Sequence, residues 1–147
     1  MSPVRFTYDR DAKEFLALAE SFRDVPNELR KHVTHRLQPV GQRTVEAVRR
    51  HASWSSRIPA AVRLRVAFRG KDPGLIITVD RHQAPHARPY EGFLASSFRH
   101  PVFGDTDTWV SQDVRRFVWP GVLETQEDVA EAVDEAIAAA FHAAGFD

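Results

Sequence analysis

One segment limits the fold more than any other. In Val62-Arg63-Leu64-Arg65-Val66-Ala67-Phe68-Arg69 apolar and basic residues alternate. Successive side chains of a strand point to opposite faces, so this pattern gives one dry face and one wet, basic face. Lys71-Asp72-Pro73-Gly74 follows with turn chemistry, Pro fixing φ and Gly tolerating φ > 0. Leu75 to Val79 is nearly continuous and β-branched, a second strand. The pair predicts an antiparallel hairpin whose dry face must be covered by something else in the chain.

Two amphipathic segments can cover it. From Glu28 to His51 the apolar residues Leu29, Val33, Leu37, Val40 and Val48 fall on one helical stripe. Arg30, Arg36, Arg43, Arg49 and Arg50 are placed on the opposite face. Asn27 is a plausible N-cap, and Pro39 with Gly41 predicts a kink or a restart. Near the C-terminus Val122, Gln126, Val129, Val133, Ile137, Phe141 and Ala144 recur three or four apart. Glu124, Glu127, Asp128, Glu131, Asp134 and Glu135 crowd the first half of that helix, where its dipole favours negative charge, and Gly145 fits a C-cap. Phe117-Val118-Trp119-Pro120-Gly121 reads as a hydrophobic corner ahead of it, and Ser53 to Pro59 as a polar exit from the first helix.

The rest is less regular. Val4 to Tyr8 has strand composition, and Asp9 or Asp11 could cap a helix running to Ser21 or Phe22. Residues 81–107 show little periodicity, hold Pro85, Pro89, Pro101, Gly92 and Gly104, and predict a long loop. That loop is rich in Tyr90, Phe93, Leu94, Phe98, Val102 and Phe103, which argues against simple disorder and for a surface to lie on. Thr108 to Val114 predicts a third strand. The fold class that follows is α+β, as a single domain over residues 1–147. It has an antiparallel sheet of three to four strands, with a long kinked helix and a C-terminal helix packed on one face, plus the long loop.

Composition narrows the chemistry. Cysteine is absent, which excludes disulfides and thiolate metal sites. No apolar run approaches twenty residues and the N-terminus lacks a signal-peptide core, so no membrane partner is expected. His82 and His86 lie four apart but beside Pro85, with no carboxylate pair to complete a metal site. Ser53, Ser55, Ser56, Ser96 and Ser97 lack a nucleophile elbow, and no phosphate-cradling glycine motif occurs. Neither a cofactor nor catalysis is expected.

Charge is divided along the chain. Residues 1–71 carry fifteen Lys/Arg against seven Asp/Glu, and residues 72–147 carry five against thirteen. Two oppositely charged elements could pair inside one chain, or a basic face of one subunit could meet an acidic face of the next. Arg43, Arg49 and Arg50 with Arg63, Arg65 and Arg69 could also form a basic patch that binds DNA through its phosphates. A small DNA-binding protein is thus the alternative function.

The block Phe98-Arg99-His100-Pro101-Val102-Phe103-Gly104, followed by Trp109-Val110 and Gln112, resembles a family of long-tailed bacteriophages. It is similar to the neck or tail-completion proteins, especially those of actinobacterial phages. Ala87-Arg88-Pro89-Tyr90-Glu91-Gly92 and Arg116-Phe117-Val118-Trp119-Pro120 are looser counterparts of further family elements. The resemblance implies a structural virion protein at the head–tail junction, made in the host cytoplasm. It implies a ring, commonly a hexamer, between a head-closure or connector protein and a tail terminator or tail tube protein. DNA would pass through its channel without sequence-specific binding. Tyr90, Phe98, Arg99, His100, Phe103, Trp109 and Gln112 are then the expected interface residues.

Overall fold

A computed structural model describes residues 27–67, 74–93 and 95–143. The expected strand at Val4–Tyr8, the helix after Asp9, the turn at Lys71–Pro73, Leu94, Ala144 and Gly145 lie outside the described residues.

Two long helices form the frame. Helix α1 spans Asn27–His51, and the short helix α2 (Ile58–Ala61) leads into strands β1 (Val62–Ala67) and β2 (Gly74–Val79). A second short helix, α3 (Ala87–Glu91), precedes strands β3 (Ser97–Val102) and β4 (Asp105–Asp113), and helix α4 (Val118–Ala143) closes the order. The first hairpin is present as expected, antiparallel, with Val62 opposite Val79 and Val66 opposite Leu75.

The core has two parts. Val33 and Leu37 of α1 meet Val133, Ala136 and Ala140 of α4, and Val66 and Leu75 of the hairpin cover them. Val45, Val48, Ile58, Val62, Ile77, Phe117 and Val118 form the other part, with Leu64 and Val79 packed against it. The dry face of the alternating strand therefore lies across the helix pair. At the helix crossing Gly121 is buried, and a Cβ there would stand 2.7 Å from the Val48 backbone nitrogen. Only a residue without a side chain lets the two backbones approach so closely. Thr44 and Thr125 face each other at the same crossing, their hydroxyl oxygens 2.8 Å apart, with Val40 O and Gly121 O as further acceptors. One hydroxyl donates across the interface and the other to its own helix.

Three expectations are corrected. Among the described residues the strands form not one sheet of three or four but two separate two-stranded sheets, β1–β2 and β3–β4. Of the expected kink or restart at Pro39, the restart is absent: helix α1 runs on through Pro39, which is exposed, as is His35, whose carbonyl loses the Pro39 donor. The missing hydrogen bond falls on the wet side, where water substitutes for it. The long loop at 81–107 instead contains α3, all of β3, the Phe103-Gly104 turn and the start of β4. The third strand correspondingly begins at Asp105 rather than Thr108.

The hydrophobic corner is also a different object. Phe117 is buried, and α4 already begins at Val118, so Pro120 and Gly121 lie within its first turn. No acidic residue of α4 itself lies in that turn. Glu91, at the end of α3 and 5% exposed, supplies the charge. Its Oε2 accepts the Phe117 and Val118 backbone N–H groups at 2.9 and 3.0 Å, and its Oε1 accepts that of Trp119 at 2.9 Å. The next residue, Pro120, has no N–H. Every backbone donor that a helix start leaves unpaired is thus accounted for. No described helix is long and apolar enough to cross a membrane.

Candidate functional site

The second hairpin carries six of the seven expected interface residues, and Tyr90 stands at its root. The root is an aromatic stack. Phe98 of β3 meets the Tyr90 ring edge-on at 5.0 Å, and Tyr90 lies 4.6 Å from Trp54. His86 approaches Tyr90 at 6.0 Å and His100 approaches Phe98 at 5.9 Å. The Arg115 guanidinium covers Trp54 at 4.7 Å. Such ring pairs contribute about 0.5–1.5 kcal/mol each beyond simple burial. Two backbone bonds complete the attachment, Arg115 N–H to Tyr90 O and Val114 N–H to Ser96 O. Burial, and then the nearby Arg57 charge, hold the His86 imidazole below its ordinary pKa. Tyr90, Phe98 and His100 are therefore root residues, partly buried against their own chain.

Beyond the root the hairpin is bare. Eight of the nine residues of β4 are exposed and only Gln112 is half-buried, so neither face of the strand is covered. Gln112 Nε2 donates to the Asp113 carbonyl, and Arg99, opposite Ser111, is exposed. At the tip Val102 pairs with Asp105 across Phe103 and Gly104, with φ of 50° and 81°. A two-residue turn with both φ positive matches the twist of a hairpin and favours Asn-Gly. Phenylalanine in the first position is strained, because its Cβ crowds the backbone in the left-handed region.

The tip is held in shape from one side. Pro101 pairs with Trp109 and Val102 with Asp105, so residues 106–108 bulge from β4. Asp105 closes that bulge, its Oδ1 accepting Asp107 N–H at 3.0 Å and its Oδ2 accepting the Thr108 hydroxyl at 2.9 Å. These two bonds, the backbone one foremost, hold its carboxyl below the usual range. Trp109 Nε1 donates to Thr106 O at 2.7 Å, which folds the indole over the bulge. Even so Trp109 is 47% exposed and Val110 40%, and Phe103 is fully exposed at 104%. Neither Phe103 nor Trp109 is a core residue. Burying one large apolar side chain contributes about 1.5–3 kcal/mol, which Phe103 forgoes in the single chain.

The five arginines of the expected basic face are mostly occupied. Arg43 pairs with Asp128 at 3.7 Å, and Arg50 with Glu124 at 2.8 Å, where His51 Nε2 also reaches Glu124 at 2.9 Å. Arg50 first and then His51 hold the Glu124 carboxyl below its usual range. Arg49 turns inward, donating from Nε to Pro59 O and from Nη2 to Val62 O, both at 3.1 Å. The charge division of the sequence is therefore resolved at least partly within the chain, basic α1 against acidic α4. Arg63 reaches the Ala60 and Val62 carbonyls, and Arg65 is exposed with no partner among the described residues.

Glu91 was not marked by the sequence as a site residue, since its three donors lie 26 to 28 positions away. Among the described residues no group of three or more His, Asp or Glu could hold a metal ion. No family model, curated protein or solved structure matches the chain.

Proposed function

We propose that the chain is a structural subunit of a phage head–tail junction, assembling with copies of itself into a ring that joins the head connector to the tail. The observation that supports this reading is the second hairpin. It contains the block on which the resemblance rests, it is anchored at one end only, and it exposes Phe103 and Trp109 to water. A two-stranded hairpin is marginal by itself, and exposed aromatic residues at a strained turn add nothing to the stability of the single chain. Both features gain a purpose if a neighbouring protein covers the hairpin. In this reading no residue is catalytic, and the hairpin is a mechanical contact.

The test is Trp109→Ala in the producing phage. The indole bonds to Thr106 O within its own hairpin and Trp109 belongs to neither core cluster, so the isolated variant keeps its helix content by circular dichroism. The expected result is a loss of infectious particles with soluble, folded subunit accumulating. Infectious particles at normal titre would overturn the reading.

A further inference from the structure

We infer that the second hairpin of one copy docks on the first hairpin of another, its acidic aromatic tip against the arginines of β1. This rests on the ring reading and deepens it by naming both halves of the contact.

The two hairpins are opposite in charge. Over β3 and β4 the charged side chains are Arg99, Asp105, Asp107 and Asp113, all exposed, and the two at the tip, Asp105 and Asp107, are both acidic. The first hairpin presents Arg63 and Arg65 on β1, with Arg57 and Arg81 exposed at its two chain ends. Among the described residues of this hairpin and its flanks the acid is Asp80, which already accepts the His82 backbone N–H. Complementary fields of this kind steer encounter and fix register.

The exposed stripe Glu127, Glu131, Asp134 and Glu135 on α4 is a rival for the same arginines. Charge alone does not choose between them, because exposed ion pairs add little affinity. Apolar area does. The hairpin tip groups Phe103, Trp109 and Val110 beside its acids, whereas on α4 the exposed Leu123 and Phe141 lie apart, beyond the two ends of the stripe. Strain points the same way, since the left-handed φ of Phe103 holds a fully exposed apolar ring at the apex. Because acid and base sit on different hairpins, each copy gives one and receives another. Repeated head to tail, such a contact is heterologous and gives a ring where the rotation between copies closes.

Sedimentation velocity of the full chain tests it with three charge variants that leave the bonds of Asp105 and Arg63 in place: Asp107→Lys, Arg65→Glu, and the two changes combined. Each single change is expected to weaken self-association by about fivefold or more, and the combination to recover most of the loss. Phe103→Ser is expected to weaken it as well, with helix content unchanged. A combination no tighter than either single change overturns the contact. Loss of association in Glu127→Lys with Glu131→Lys, but not in Asp107→Lys, assigns the stripe instead and also overturns it. Association that ignores every variant overturns this contact and leaves the ring reading standing. A wild-type chain that stays monomeric at every concentration contradicts both.

Discussion

Replacing Glu91 by alanine removes the acceptor of three backbone N–H groups at once, those of Phe117, Val118 and Trp119, at 2.9 to 3.0 Å. Phe117 and Val118 are each 1% exposed, so water does not reach their amides without local opening. A buried donor left unpaired costs about 1–3 kcal/mol, and the three are neighbours whose losses do not add fully. Fraying of the first turn of α4 relieves part of the cost, which gives about 3–5 kcal/mol for Glu91→Ala. For a chain of this size that corresponds to a fall in Tm of roughly 10 °C. Glu91→Gln keeps one carbonyl oxygen but loses the charge that faces the helix dipole, and its loss is about 1–3 kcal/mol. Urea unfolding followed by circular dichroism at the helix band gives the two values, and the order wild type, Gln, Ala is the expected one. Amide exchange adds location, because protection is lost first at Val118 and Trp119. An alanine variant within about 1 kcal/mol of wild type would refute the capping argument.

Two further outcomes follow from the geometry. Gly121→Ala places a methyl group 2.7 Å from the Val48 backbone nitrogen and 2.8 Å from its Cα, which no rotamer change relieves. The two long helices must separate, and chemical denaturation should show a loss of about 1–3 kcal/mol. His86 has a folded pKa below its ordinary 6.5, with burial the first cause and Arg57 the second. The unfolded chain therefore binds the proton more readily, so this contribution is complete above pH 6.5 and declines as pH falls below it. Stability measured from pH 7.5 down to 5.5 should slope downward, and His86→Gln should flatten that slope.

The sequence shows some of these elements plainly and hides others for identifiable reasons. The first hairpin is legible because Val62, Leu64 and Val66 alternate with exposed Arg63 and Arg65, and one strand face is dry. The stripe of α1 is legible through Val33, Leu37, Val40 and Val48, all buried. β3 is hidden because Pro101 removes a ladder donor and because its turn has Phe103 where Asn is usual. The bulge at 106–108 then breaks the pairing that would have marked β4 as its partner. The start of α4 is hidden because Pro120 and Gly121 normally punctuate a chain. Here Pro120 occupies a position with no donor to lose, and Gly121 answers a close contact with a helix some seventy residues away. Glu91 is the extreme case. A carboxylate that caps a helix from another element leaves no spacing signal at all.

The interface set divides along the same line. The resemblance singled out Tyr90, Phe98, Phe103 and Trp109, but only the three-dimensional arrangement separates the first two, stacked at the root, from the last two, exposed beyond it. The basic face divides in a similar way. Counting arginines suggested a DNA surface, whereas Arg43 and Arg50 are spent on α4 and Arg49 on backbone carbonyls.

Location in the particle tests the central claim most directly. Electron microscopy of phage particles decorated with an antibody against this chain is expected to place label at the head–tail junction. Intact, infectious particles that contain none of the chain would contradict the account.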